Sequence, residues 1–494
     1  KMAEADEFPD DVQRWPSFAE PKPVCRANGL AIELKGNVFK LSERLGMKKW
    51  KRRFFVLLEG SSSLATYKDQ TAFLQGKKRK EISLIGCSVS ACRGCVCVAG
   101  KDITFALHKY GKKSRYFSID QENPSACQSS QADWLAQIDE RIVRLKGGVT
   151  VKDFDILAMI GRGGFGKVYV VRKKDQPDSL YAMKVLRKDQ VVAKGAVDST
   201  MTERSVMMSL EHPYIVNLWF AFHTPMRLFF VMDFVNGGEL FLALQQAGRF
   251  SEARTRIYAA EIAAALSYLH ELEYLYRDLK PENVLIHEDG HLKLADFGLS
   301  KKVSTSEKTY TVVGSSFYMS PEVILRRGHG APADWWSLGI LVYEMLTGLP
   351  PFYDRNAQAA AKRLLAEDVA PTADMSPEAG SFMTGLLQRD PNRRLGTAPT
   401  PEQASSLVFE HPFLASIDQD LLATRSLPLD PEWIPALSGP LDLRHFDEVV
   451  TRRGVSDAEL PDLSPKEQSA FDDFDFTIDS EEGSMRSALS SASG

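Results

Sequence analysis

The stretch YRDLKPENVL, residues 276–285, sets Asp278, Lys280 and Asn283 between two apolar runs. Pro281 removes a backbone donor and resists helix, so these polar residues sit in an open loop. A carboxylate at Asp278 can orient and deprotonate a hydroxyl, and Lys280 can meet a moving phosphoryl group. ADFGLS follows at 295–300, after the strand-like HLKLA, and puts Asp296 just past a strand end. Asn283 and Asp296 offer hard oxygen ligands of the kind Mg2+ takes.

Working outward, GRGGFGKV at 161–168 spaces Gly161, Gly163 and Gly166 so that the backbone can approach phosphate oxygens. Alone that pattern is a weak signal. A dinucleotide fold would follow it with a helix, whereas the strand-like VYVVRKK follows here, so the glycines belong to a hairpin. YAMK at 181–184 ends an apolar strand in Lys184. A buried lysine needs an anionic partner, and Glu203 in TMTERSVMM can supply one. Taken by themselves, the two read more readily as a surface lysine and an unrelated acid. SPE (320–322), DWWSLG (334–339) and Arg394 of RRLG follow downstream in that order.

This ordered set resembles the eukaryotic protein kinase domain over residues 154–413. The resemblance implies a bilobal α+β fold that uses ATP and Mg2+ to phosphorylate serine or threonine in protein substrates. By it, Ile160, Gly161, Arg162, Gly163, Gly164, Phe165, Gly166, Lys167 and Val168 cover the nucleotide, and Lys184 holds its phosphates with Glu203 as partner. Met232 falls at the gatekeeper, and Asp233, Phe234 and Val235 at the adenine hinge. Asp278 is the catalytic base beside Lys280, and Asn283 and Asp296 bind the metals. Glu322 and Arg394 form a structural ion pair.

YRDLKPEN, HPYIV and DWWSLG look like the AGC group, whose members carry a tail, here 414–478. LRHFDEVVT (443–451) resembles the segment by which such tails reach the ATP site, through Phe446. FDDFDF (471–476) matches the hydrophobic motif F-x-x-F-[S/T]-[F/Y], with Phe471, Phe474 and Phe476 as its rings and Asp475 at the phosphorylated position. The resemblance implies that Phe471 and Phe474 bury in a small-lobe groove beside the helix of Glu203, with the acids at its rim near basic groups. Glu239 in NGGELF and Glu282 in KPEN match acids that receive substrate arginines, and Lys362 stands where a third is expected. In TYTVVGSSFYMSPE, Thr311 keeps the activating phosphosite, served by an upstream kinase, and its phosphate pairs with Arg277. Ser315 replaces a threonine that touches the catalytic Asp, and Ser316 and Phe317 replace Pro-Glu, which puts the substrate platform in question.

Ahead of this, residues 36–120 alternate apolar and polar in short runs (RRFFVLL, SLATY, KEISLIG, DITFALH, RYFSID), and QADWLAQIDERIVRL at 131–145 has helical spacing. Several strands closed by one amphipathic helix make a small barrel or sandwich. GNVFKLSERLGMKKWKRRFFVLL (36–58) resembles the first hairpin of a pleckstrin-homology domain, a small β-barrel capped by a C-terminal helix, and Trp134 lies at the tryptophan of that helix. The domain spans 29–146. Lys40, Lys51 and Arg53 match K-x(n)-[KR]-x-R, which implies phosphoinositide lipids at a membrane surface. A domain of this fold that binds protein is the alternative. The domain order resembles the protein kinase B (Akt/RAC) family, while LSPKEQSAFDDFDF also looks like the protein kinase N tail. A lipid-binding pseudokinase scaffold is the rival class, and the filled catalytic positions favour the enzyme. The resemblance implies a cytoplasmic monomer recruited reversibly to the plasma membrane, with the nucleus as a second location.

The formal net charge of −4 over 494 residues gives no argument for a nucleic-acid partner. Its distribution says more: five of the six residues 48–53 are basic, whereas 455–482 hold ten acids against Lys466. No run of 18 apolar residues occurs, which argues against a transmembrane span. The acidic KMAEADEFPDD is no secretory signal, and 1–28 reads as a mobile leader. Cys92 and Cys95 have zinc-ligand spacing without a second pair, so the six cysteines read as free thiols. The serine-rich 479–494 reads as disordered.

Overall fold

RRFFVLL carries apolar side chains on both faces of one strand. Phe55 and Leu57 are buried in one core, and Phe54 and Val56, turned the other way, in a second. The computed structural model describes residues 26–27, 30–44, 47–58, 61–84, 87–91, 105–109, 112–119, 134–135, 137–138, 141–142, 148–163, 166–304, 307–451, 467, 470–471 and 474–477. The leader apart from Arg26 and Ala27, the CRGCVC cysteines, and 479–494 lie outside the described residues. Two compact units take, respectively, Lys1–Val197, Trp219–Val231 and Arg452–Ile478, and Asp198–Leu218, Met232–Thr451 and Asp479–Gly494.

In the first unit, β1 (Arg26–Ala27), β2 (Leu30–Arg44), β3 (Met47–Leu58), β4 (Ser63–Tyr67), β5 (Lys80–Ser83), β6 (Cys87–Ala91), β7 (Phe105–Lys109) and β8 (Lys112–Ile119) form one antiparallel sheet. Its order is β5-β4-β3-β2-β8-β7-β6, with β1 on β2. Trp134 is fully buried and meets Phe55 edge-on, with centroids 6.5 Å apart, so its helix covers the core of Leu34, Val38, Phe55 and Phe117. The expected strands and closing helix are present; among the described residues no ladder joins β5 to β6. A short helix, α1 (Gln70–Leu74), packs Phe73 on Phe54 and Tyr67 and so covers the second core.

The same unit holds most of a second sheet, made of β9 (Phe154–Arg162), β10 (Gly166–Lys173), β11 (Gln176–Arg187), β12 (Leu218–His223, in this unit from Trp219) and β13 (Arg227–Asp233, in this unit to Val231), with α2 (Lys188–Ala193) after β11. Phe476–Thr477 pairs antiparallel with the free edge of β12, Ala221 opposite Phe476. The expected glycine hairpin is β9–β10. Gly166 stands opposite Leu186, where a Cβ would lie 1.9 Å from the Val185 carbonyl oxygen, so only glycine fits the ladder there. Among the described residues a Cβ on Gly163 would meet nothing within 4 Å.

The second unit is mainly helical: α3 (Val197–Met208), α4 (Leu240–Ala247), α5 (Glu252–Glu271), α6 (Pro321–Ile324), α7 (Pro332–Thr347), α8 (Ala357–Ala366), α9 (Pro377–Leu386) and α10 (Pro401–Phe409). Two small ladders, β14 (Tyr274–Leu275) with β17 (Lys301–Lys302) and β15 (Val284–Ile286) with β16 (Leu292–Leu294), frame the loops between them. The alanines of AAEIAAAL are buried in α5 and allow close packing, and Ser251 caps its first turn by accepting from Arg254 N. Almost all of α7 is apolar and buried, as a central helix must be. Its end is set by Gly348 at φ +91, where a Cβ would strike the Gly248 carbonyl oxygen. Among the described residues no helix is long and apolar enough to cross a membrane.

Candidate active site

One buried carboxylate in α7 shapes the loop quoted first. Asp334 accepts from Tyr276 N at 3.0 Å and Arg277 N at 2.8 Å, and His270 Nε2 stands 2.8 Å away. Arg277 is thereby held at φ +69, a conformation that non-glycine residues rarely adopt. Next to it, both oxygens of Asp278 are engaged. Ser315 N and Oγ donate to Oδ1 at 3.1 and 3.0 Å, while Lys280 Nζ and Asn283 Nδ2 donate to Oδ2 at 2.8 and 2.9 Å. Serine therefore keeps the contact expected of threonine at 315. Lys280 also reaches Ser315 Oγ at 3.1 Å, which closes a ring of polar contacts around Asp278.

Asn283 spends its amide hydrogens on Asp278, so its oxygen is the atom it can offer a cation. Asp296 follows β16 at φ +56 and accepts from Gly298 N at 3.3 Å. A Cβ on Gly298 would stand 3.7 Å from the Glu203 carboxylate, which places Glu203, buried on α3, beside this turn. Lys184 lies in the first unit, half-buried on β11, its Nζ 5.8 Å from the Phe230 ring. In that unit Ile160, Gly161, Arg162, Gly163, Gly166, Lys167 and Val168 lie along the β9–β10 hairpin, and Gly164 and Phe165 are outside the described residues.

At the hinge, Asp233 is occupied within its own unit, accepting from Asn217 N at 3.0 Å and Lys293 Nζ at 2.8 Å. Met232 is half-buried and Val235 buried. Phe234 stacks on Phe446 with centroids 6.0 Å apart, so the tail meets the segment after β13 through that ring. Gly238 at φ +85 permits this approach, since a Cβ there would lie 2.8 Å from His445 Cβ.

Arg277 also ties down the segment that follows. Its Nε donates to Leu299 O at 2.7 Å and its Nη1 to Thr311 Oγ1 at 2.8 Å. Lys301 Nζ donates to Thr309 Oγ1 at 3.0 Å, which lies 3.2 Å from Thr311 Oγ1. Thr311 is exposed, so a modifying enzyme can reach it. Further on, Arg394 grips Glu322 through two bonds of 2.7 and 3.0 Å, the expected structural pair, and the bidentate bonding holds the carboxyl below its usual range despite burial.

Three acids share one region of the second unit. Burial raises Glu239, and the charge of Glu282 raises it further. Glu344, in the interior of α7, is raised by burial to about 7, with Glu282 again adding to the rise against a 2.5 Å bond from Tyr318 Oη. Glu344 thus shares a region with Glu239 and Glu282, while Lys362 is exposed on α8.

The tail motif is docked. Phe471 and Phe474 are both 0% exposed. Phe474 meets Phe230 edge-on at 5.1 Å, and Lys188 Nζ lies 4.9 Å over the Phe471 ring. His223 N donates to Asp475 Oδ1 at 3.2 Å, and its ring Nδ1 stands 3.0 Å from the same oxygen. Histidine is thus a basic group at the rim, and the strand formed by Phe476 and Thr477 is an addition that the motif alone does not announce. Phe474→Ala should lower activity about tenfold or more, since ring burial contributes about 2 kcal/mol. Asp475→Ala should cost only a few-fold, as partly exposed pairs contribute about 0.2–1 kcal/mol. Steady-state rates of the two variants check this, and equal losses would show that the charge, not the ring, anchors the tail.

In the amino-terminal domain Lys40 and Lys51 are direct cross-strand partners on β2 and β3, and Arg53 faces Val38. Lys40 is pushed down by burial and then by the charges of Arg115, Lys80 and Lys51, and Arg53 by burial and Arg79. Mutual depression of cations marks a site that an anion would stabilise. Arg115 on β8, Lys80 on β5 and Arg79 just before β5 join the three expected residues from positions distant in sequence.

Two families match the chain: the protein kinase domain over residues 154–414 and the PH domain over 32–142. Protein kinase 2 of Dictyostelium discoideum is 44% identical over 340 residues, 68% of this chain and 69% of its own length. The RAC family serine/threonine-protein kinase homolog of the same organism is 36% identical over 468 residues, 91% of this chain and 98% of its own. Human RAC-beta serine/threonine-protein kinase is 39% identical over 329 residues, 66% and 67% respectively.

Proposed function

Since the chain belongs to the protein kinase family, as a serine/threonine kinase of the AGC group with the PH-kinase layout of the RAC family, we propose that it transfers the γ-phosphoryl group of ATP to proteins bearing upstream arginine, under phosphoinositide and activation-loop control. The observation that carries the chemistry is Asp278, held on both oxygens by Ser315, Lys280 and Asn283. So fixed, Asp278 orients the acceptor hydroxyl and takes its proton, and Lys280 stabilises charge on the group in transfer. Lys184 grips the nucleotide phosphates, with Glu203 as its ion-pair partner, and Met232 to Val235 bound the adenine. The oxygens of Asn283 and Asp296 suit Mg2+, which when bound neutralises charge on the nucleotide phosphates. A peptide array tests substrate choice: arginine three residues before the acceptor should raise the rate most, and indifference to basic residues would contradict the assignment.

Glu239, Glu282 and Glu344 would receive those arginines. Glu344, raised to about 7, loses its charge as pH falls through that value. KM for an arginine-containing peptide should therefore rise several-fold between pH 8 and pH 6, while KM for ATP stays level. Glu344→Gln should raise peptide KM at pH 8 and flatten the profile. A variant retaining the wild-type slope would exclude Glu344 as its source.

The cation cluster around Lys40, Lys51 and Arg53 supports phosphoinositide binding and reversible recruitment from the cytoplasm to the plasma membrane. Each basic residue near an anionic membrane contributes about 1 kcal/mol, so Lys51→Ala with Arg53→Ala should weaken binding to phosphoinositide vesicles about tenfold or more. Unchanged vesicle binding would turn the reading toward a protein ligand for this domain. Thr311, phosphorylated by an upstream kinase, is the proposed control point, because Asp475 already carries a permanent charge in the tail.

A further inference from the structure

The turn between α1 and β5 carries features that the phosphate pocket does not use. Although α1 has five residues, both its ends are closed. Asp69 accepts from Ala72 N at 2.8 Å, and at the other end Lys77 N bonds Ala72 O at 2.8 Å while Gly76 N bonds Phe73 O at 2.9 Å. With Gly76 at φ +67 this is a Schellman closure, and Arg79 N continues it by donating to Thr66 O at 2.9 Å. Phe73 locks the helix onto the sheet, with centroids 5.5 Å from Phe54 and 5.2 Å from Tyr67.

Leu74, the next residue, points away from that anchor and is 75% exposed, the most of any large apolar side chain among the described residues. Directly after it come Lys77, Lys78, Arg79 and Lys80, all exposed, of which Lys78 is paired with Glu81 at 2.6 Å. The basic strip runs toward the cluster of Lys51 and Arg53, because Lys80 pairs with Thr66 on β4 and Thr66 in turn with Phe55 on β3. Among the described residues a Cβ on Gly76 would meet nothing within 4 Å, so the turn projects freely at that point.

We propose that this turn is a second membrane contact, in which Leu74 enters the apolar margin of an anionic bilayer while Lys77 and Arg79 lie among its headgroups. The inference rests on the reading of Lys40, Lys51 and Arg53 as a lipid-phosphate pocket. A protruding leucine on a rigid turn suits a bilayer, which accepts it without a preformed partner cavity, whereas an acidic peptide would need a groove to hold its chain. The strip beside the leucine supplies the complementary charge.

The test compares the full chain with Leu74→Ser, Leu74→Met and Lys77→Gln on vesicles of phosphatidylserine with and without a phosphoinositide. Soluble inositol tetrakisphosphate serves as a pocket control and polyglutamate as a peptide control. Leu74→Ser should bind vesicles about tenfold more weakly, Leu74→Met should restore binding, and both should hold the soluble headgroup as the wild type does. Lys77→Gln should lose about fivefold, an effect that shrinks with added salt. Vesicle binding untouched by Leu74→Ser, with the soluble headgroup still bound, would overturn the inference and leave the pocket reading standing. Failure of the wild type to bind the headgroup would overturn the pocket, and phosphatidylserine vesicles alone would then decide on Leu74. Loss of polyglutamate binding without loss of vesicle binding would assign the turn to a peptide instead.

Discussion

Asp278→Ala should lower kcat by about 10²–10⁴ while leaving ATP affinity close to wild type, the range expected when a positioned general base is removed. The split follows from geometry. Asp278 is tied to Ser315, Lys280 and Asn283 within the loop, so its loss removes hydroxyl orientation and leaves Lys184 and the glycine hairpin in their own unit. Asp278→Asn keeps the shape and loses the proton acceptor, and should be nearly as slow. Single-turnover rates and nucleotide titration separate the two quantities. Turnover like the wild type in either variant would remove Asp278 from the chemistry.

Thr311→Ala should cost about 10–100-fold in kcat/KM relative to phosphorylated protein, because hydrogen bonds to charged groups contribute about 1.5–3 kcal/mol. Arg277 already donates to the Thr311 hydroxyl at 2.8 Å, and Lys301 approaches through Thr309. A phosphate there brings a charge of about −1.5 to −2 into reach of both cations. It would fix the segment to the residue that precedes Asp278, so order in the loop and competence of the base rise together. Phosphatase treatment of the wild type should reproduce the alanine variant, and Thr311→Ser should remain activatable. Equal rates for Thr311→Ala and the phosphorylated wild type would move control elsewhere.

Residues adjacent in sequence proved the most legible. Asp278, Lys280 and Asn283 lie within six positions, and local loop geometry alone brings them together, so their reading survives folding almost unchanged. The Glu322–Arg394 pair was legible for another reason, since each partner sits in a motif of its own. Glu344 was hidden because an acid in an apolar helix carries no local mark of where the helix points it. Lys80 and Arg115 were hidden by sheet register, which carries β5 and β8 to the cation cluster across a path that no short motif encodes. His223 belongs to this class too, as its meeting with Asp475 spans 252 positions. Alternation specifies a two-faced strand, and the sheet order is set by pairings that no short motif encodes.

The strand formed by Phe476 and Thr477 has a consequence for solubility. A sheet edge left open presents a row of unsatisfied N–H and C=O groups, a template on which another chain can add. In the folded kinase lobe that edge belongs to β12, and the chain's own tail occupies it. Lifting the tail would uncover both the edge and the apolar sites of Phe471 and Phe474, the combination that favours self-association. The docked tail thus also guards the lobe against self-association, so the lobe and its tail should be produced and handled as one piece.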